Sequence, residues 1–209
     1  MRISKLTPSQ RKQGRWLVQL ENGDLLRLGE NEVVAFALYS GMELEEEQLE
    51  ELRWAEQTAR FKEYALNALS VRPLSCLELR QKLEEKGCPP GQALEITDRL
   101  TELGYLDDAA YAAALVKHYA AKGCGPYKLR EELFRRGVPR EYWEEALEGA
   151  EDPAGAIDAF LERKLSRIEQ PDRKDLKRAA DALARRGYSW SDINAALRRY
   201  GAQTEEESP

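Results

Sequence analysis

Asp107 and Asp108, adjacent in GYLDDAAYA, are the nearest approach in this 209-residue chain to a catalytic carboxylate pair. Acid–base work by two carboxylates needs surroundings that push their pKa values apart inside a pocket. The flanking residues predict a simpler use. Gly104 closes one helix, Asp107 stands at the N-cap of the next, and Leu106 and Tyr111 fall at the staple positions around it. His118 is the only histidine, so a histidine relay or a His-based metal cluster has no second member. Three cysteines, Cys76, Cys88 and Cys124, are an odd number without CxxC spacing, which argues against a disulfide framework and a zinc site. Gly-Cys-Gly at 123–125 lacks the lysine of a phosphate-binding loop. No nucleophile–base set assembles, so neither a catalytic residue, a metal nor a cofactor is expected.

Binding chemistry is more promising, because charge is strongly segregated. The chain has a net charge of −6 with 33% charged residues. Residues 30–56 hold nine acidic side chains and one Arg, a net of −8. Residues 117–140 hold seven basic side chains against Glu131 and Glu132, a net of +5, and residues 151–201 a net of +2. A basic stretch that spans successive structural units suits a phosphate backbone or an acidic protein groove. It is also what an ordinary solvated face looks like. The candidate contact residues are Lys122, Lys128, Arg130, Arg135 and Arg136, followed by Arg173, Lys177 and Arg178. Lys128 and Arg135, seven apart, should share one side of a helix whose Leu129 and Leu133 face inward. Arg185 and Arg186 play a similar part in the last unit, and Arg72, Arg80, Lys82 and Lys86 are the weaker counterparts earlier in the chain. Trp143, Tyr142 and Trp190 read as core packing rather than as platforms for stacking bases.

The elements that position these residues are written in a repeated phrase. LRQKLEEKG at 79–87 returns as LREELFRRG at 129–137 and as AADALARRG at 179–187. A fixed spacing of this kind signals a repeated structural unit. Each copy predicts a helix closed by a glycine in the left-handed C′ position: Gly87, Gly137 and Gly187. The first copy opens on Ser75-Cys76-Leu77-Glu78, a capping box. Gly125 then Pro126 opens the second, and Asp175 takes the equivalent place in the third, where Ala179 replaces the first leucine. A further amphipathic helix follows each glycine. Before the repeats, ISKL, RWLVQLE and DLLRL read as strands of a small meander, with Asn22-Gly23 at a tight primed turn. NEVVAFALYSG reads as a short helix ended by Gly41, and a long helix then runs to about residue 69 with Leu44, Leu49, Leu52, Ala55, Ala59 and Leu66 near one stripe.

The resulting fold class is all-α: a tandem array of three three-helix repeats, elongated and curved, with a small N-terminal β-containing segment. Its parts are residues 1–43 (meander and short helix), 44–59 (helical lead-in), 60–104, 105–150 and 151–201 (the repeats) and 202–209 (a disordered acidic tail). The start lacks the apolar core of a secretion signal and no stretch approaches a membrane span, so a cytoplasmic location without membrane contact is expected.

RPLSCLELRQKLEEKG (72–87), RLTELGYLDDAAYA (99–112) and GPYKLREELFRRGVP (125–139) together resemble the signature of the RecX regulators of bacterial recombination. The third repeat departs more, through Ala179, and the β-containing head is similar to the N-terminal extension of some members. The resemblance implies a non-enzymatic, monomeric modulator, mainly an inhibitor, that lodges in the groove of the RecA–single-stranded-DNA filament and limits ATP hydrolysis and strand exchange. Weak direct binding of free DNA would be compatible with it. The competing readings are a helix-turn-helix DNA-binding protein, which needs base-reading side chains on one helix, and a helical-repeat scaffold for an unrelated protein. An undetected hydrolase is the remotest.

Overall fold

The computed structural model describes residues 1–150, 152–166, 168 and 171–206. Three antiparallel strands, β1 (Ile3–Pro8), β2 (Arg15–Leu20) and β3 (Leu25–Gly29), form a sheet in the order β1-β2-β3. Ten helices follow: α1 (Glu30–Ala35), α2 (Glu46–Val71), α3 (Cys76–Glu85), α4 (Pro90–Glu102), α5 (Asp108–Ala121), α6 (Pro126–Arg135), α7 (Trp143–Glu148), α8 (Pro153–Leu165), α9 (Arg173–Arg185) and α10 (Trp190–Glu206). A 3₁₀ turn at Arg140–Tyr142 leads into α7. The described chain is thus mostly helical, with one small sheet at its start. Among the described residues no helix is long and apolar enough to cross a membrane. Two compact units are present, one of residues 1–72 and 80–99, the other of residues 73–79 and 100–209.

In the first unit the strands alternate as the period of two requires, so Ile3, Val18, Leu20, Leu26 and Leu28 are buried together. Val33, Leu38, Leu44, Leu49 and Leu52 complete that core. The β2–β3 turn differs from expectation. Gly23 alone has positive φ (91°), its N–H donates to the Leu20 carbonyl, and the Leu20 N–H donates to the Asp24 carbonyl. This is a three-residue loop with a glycine bulge rather than a primed turn. α1 stops at Ala35, earlier than expected, because Ala37 turns left-handed (φ 48°). On α2, Phe61 and Ala65 are buried, and the 100° step from Ala65 leaves Leu66 41% exposed, off the predicted stripe.

The helix ends behave as local sequence predicts in most cases. Glu78 N–H donates to Ser75 Oγ at 3.0 Å while the Ser75 N–H donates to the Glu78 carboxylate at 3.3 Å, a reciprocal capping box. Gly87, Gly104, Gly137 and Gly187 all have positive φ after their helices. α9 begins a turn earlier than α3 and α6. Its N-cap is Asp172, and Asp175 is the reciprocal partner rather than the cap. α10 continues through Glu206, so residues 202–206 are helical where a disordered tail was expected. The rest of that segment, 207–209, lies outside the described residues. Trp190 opens α10 and is 54% exposed, so it is not a core residue, whereas Tyr142 and Trp143 pack against the Leu129–Leu133 cluster.

Within the second unit one joint occurs twice. Ser75, at the start of α3, donates its hydroxyl to the Arg136 carbonyl (2.5 Å) at the end of α6. Gly125, at the start of α6, donates its N–H to the Arg186 carbonyl (2.8 Å) at the end of α9, and the Tyr127 N–H donates to the Gly187 carbonyl. In the second joint the orphan N–H of Tyr127 is thus satisfied by the closing turn of the matching helix in the next copy, and in both joints a free carbonyl at that helix end gains a donor. A Cβ on Gly125 would stand 2.6 Å from the Gly187 carbonyl oxygen. That approach explains why glycine replaces the serine of the first copy.

Candidate binding interface of the helical repeats

The fixed point of the interface is α6. Its inner face buries Leu129 and Leu133 with Ala112, Val116 and Val138. Its outer face carries two aromatic rings that the sequence reading did not single out, Tyr127 and Phe134, 65% and 69% exposed. They are seven residues apart, two turns along one side, with Arg130 between them. The signal was present in the spacing, since 127 and 134 lie off the phase of the buried 129 and 133.

The expected basic residues are held in different ways. Lys122 ends α5 with its ammonium 5.3 Å from the Tyr119 ring centroid. Lys128, Arg130 and Arg135 are held by nearby carboxylates. The Lys128 Nζ is 2.7 Å from Glu131, Arg130 is 3.5 Å from Glu144, and Arg135 pairs with Glu132. Lys128 is half-buried and Arg135 exposed, so the two are presented unequally. Arg136 stands apart, turned inward to Glu78 at 2.9 Å. Glu78 also accepts from the Tyr111 hydroxyl at 3.0 Å, so Arg136 belongs to the joint between α3 and α6. On α9, Arg173 and Lys177 are exposed one turn apart, and Arg178, also exposed, is 3.4 Å from Asp175. Arg186 lies 4.5 Å over the Phe160 ring, while Arg185 is exposed.

Electrostatics follow this geometry. Burial pushes the Glu132 carboxyl upward, but hydrogen bonds from Arg135 and Tyr119 outweigh it and hold the group below its ordinary value. The Glu78 hydrogen bond raises Arg136 further above an already high value, against its partial burial. Burial, helped by Glu84, raises the Cys88 thiol. The two aspartates at 107–108 have separate duties. Asp107 accepts from the Ala110 N–H at 2.8 Å as the cap of α5, and Asp108 accepts from the Cys76 N–H at 2.9 Å. They share no acid–base partner. Among the described residues no group of three or more His, Cys, Asp or Glu side chains is placed to hold a metal.

These features define a tandem three-helix-repeat protein with basic, aromatic-bearing outer helix faces. Models of the first, second and third three-helix domains of RecX match residues 62–100, 107–147 and 151–197. The chain belongs to the RecX family. A Xanthomonas axonopodis pv. citri protein named Regulatory protein RecX is 37% identical over 145 residues, covering 66% of this chain and 90% of its own. A Bacillus subtilis protein of the same name is 28% identical over 210 residues, covering 99% of this chain and 80% of its own. The crystal structure of a regulatory protein RecX shares the fold, with a TM-score of 0.74, 24% identity and coverage of 94% of this chain and 98% of that one.

Proposed function

We propose that this protein is a non-catalytic modulator of RecA that binds in the groove of the RecA–single-stranded-DNA filament and restrains ATP hydrolysis and strand exchange. The observation that carries the reading is the run of three RecX domains in order along the chain, with Lys and Arg on the outer sides of α6 and α9. Lys122 at the end of α5, Lys128, Arg130 and Arg135 on α6, and Arg173, Lys177 and Arg178 on α9, are the contact residues, joined by Tyr127 and Phe134. Arg135 is tied to the buried Glu132, whereas the Lys128–Glu131, Arg130–Glu144 and Arg178–Asp175 pairs are largely solvent-facing. Such pairs contribute only about 0–1 kcal/mol, so exchanging Glu131, Glu144 or Asp175 for a phosphate or an acidic RecA side chain costs little. Arg136 is left out of the contact set, because its guanidinium is turned inward to Glu78 at the joint between α3 and α6. The protein acts from the cytoplasm and as a monomer in this reading.

The direct test adds the full-length protein to RecA filaments on single-stranded DNA and follows ATP hydrolysis with co-sedimentation. Loss of hydrolysis at substoichiometric protein, with binding that depends on the filament, is expected. Charge reversal of Arg173 and Lys177 to Glu should weaken filament binding and flatten its salt dependence. No binding and no effect on hydrolysis at low salt, with a RecA from the same source, would sink the proposal.

A further inference from the structure

The first unit holds an open cleft of about 870 Å³ between the β1–β2 loop, β3 and the middle of α2. Its lining is unlike the rest of that unit. Lys12 enters from the loop, Arg15 from the start of β2, Arg27 from β3, and Arg60 and Lys62 from α2, against two carboxylates, Glu56 and Glu63. The lining therefore carries a net of +3, while residues 30–56 carry −8. Glu63 is shared by Lys12 at 2.6 Å and by Arg15, so one carboxylate holds two cations over the opening. Glu56 accepts the Arg27 backbone N–H at 2.9 Å, with the guanidinium 4.0 Å away. Arg60 and Lys62 are exposed and make no ion pair among the described residues. Tyr64 forms part of the wall, and the Lys86 ammonium stands 5.8 Å from its ring centroid.

Cations on three sides of a concave opening suit a flexible polyanion that can enter it. Proteins that bind single strands combine such a groove, which tracks the backbone, with an aromatic ring beside a base. The volume is that of a small-ligand site, within about 300–1,000 Å³, and too confined for a duplex. An acidic protein surface would need a protruding element to reach the same cations. We infer that this cleft binds the sugar-phosphate backbone of single-stranded nucleic acid, with Lys12, Arg15, Arg60 and Lys62 meeting phosphates and Tyr64 beside a base. The site lies apart from α6 and α9 in the chain and does not depend on the RecA reading.

The test measures fluorescence anisotropy of a labelled oligothymidylate with the full-length protein alone, over a salt series, beside a duplex of equal length. Arg60→Ala with Lys62→Ala removes two exposed cations outside any ion pair among the described residues, the first 5.7 Å over the Phe61 ring, and should leave the circular dichroism spectrum intact. Each lost phosphate contact should lower the slope of log affinity against log salt by about 0.7, so the pair lowers it by about 1.4. At about 0.1 M salt that is a loss on the order of 10- to 30-fold. Lys62→Glu alone should move affinity the same way, whereas Lys5→Ala with Lys117→Ala, two exposed cations outside the cleft, should leave the slope closer to wild type than the cleft pair does. Absence of oligothymidylate binding by the wild type at low salt, or unchanged affinity and slope in both cleft variants, overturns the assignment. Equal binding of the duplex, with equal loss in the variants, overturns its single-strand character. Unchanged oligothymidylate affinity with reduced co-sedimentation on RecA filaments reassigns the cleft to an acidic protein surface.

Discussion

Replacing Gly125 with alanine adds one methyl group at a close backbone approach within the second unit. The backbone there has φ −83° and ψ 173°, which any residue adopts, so the cost comes from crowding alone. The new Cβ would lie 2.6 Å from the Gly187 oxygen and 2.7 Å from the Gly187 carbon and the Tyr188 nitrogen. All three are backbone atoms, so no side chain can rotate away. Restoring an ordinary contact of 3.4 Å requires about 0.8 Å of separation. That shift would stretch the Gly125–Arg186 and Tyr127–Gly187 hydrogen bonds from 2.8 and 3.0 Å past bonding distance. Two bonds at about 1 kcal/mol each, plus about 1–3 kcal/mol for overpacking, are offset by about 0.4–1 kcal/mol of lost unfolded-state entropy. A net destabilisation of about 2–5 kcal/mol is expected. Urea unfolding followed by far-UV circular dichroism should show a lowered midpoint and a broadened transition, as neighbouring repeats decouple. Gly125→Ser should fare no better, although serine is the better cap. A change under about 0.5 kcal/mol, or a gain in stability, would refute the close approach and the joint built on it.

Other perturbations separate structural from binding roles. Glu78→Gln leaves the Arg136 guanidinium without its carboxylate and weakens the Tyr111 bond, so a loss of about 1–3 kcal/mol in thermal or urea unfolding is expected. Glu132 has a folded pKa below its ordinary 4.5, so its contribution is present above 4.5 and is lost as pH falls through the folded value. Acid unfolding of Glu132→Gln should accordingly show a shallower pH dependence below 4.5 than the wild type. Tyr127→Ala with Phe134→Ala should change stability by less than about 0.5 kcal/mol, because both rings are exposed, yet reduce co-sedimentation with RecA filaments. Asp107→Ala should cost about 1 kcal/mol as a lost N-cap, read from the melting temperature, and leave filament binding unchanged.

Features within one turn of helix were legible in the chain. The capping box at Ser75 and Glu78, the cap at Asp107 and the left-handed glycines after α3, α6 and α9 depend on residues four or fewer apart, and the structure has them. The three-fold phrase likewise announced the helical domains. Periodicity was less reliable at the margins: Leu66 and Trp190 belong to amphipathic patterns but stand outside the cores. The turn at Gly23 kept its place but changed type, since the strand register sets the loop length.

Residues far apart in sequence acquired roles that no local pattern carries. Arg136 reads as one more cation in a basic run, and its tie to Glu78, 58 residues away, exists because the start of α3 meets the end of α6. Asp108 looked like half of a catalytic pair until its carboxylate reached the Cys76 N–H. The cleft in the first unit gathers residues from 12 to 67, joining the sheet and its first loop to the helix that opens the first repeat. Short-range steric and hydrogen-bonding preferences are properties of a few neighbouring residues, so the amino-acid order states them directly. Which charge is spent on packing and which stays free for a partner depends on where helices meet, and that is settled only when the chain has folded.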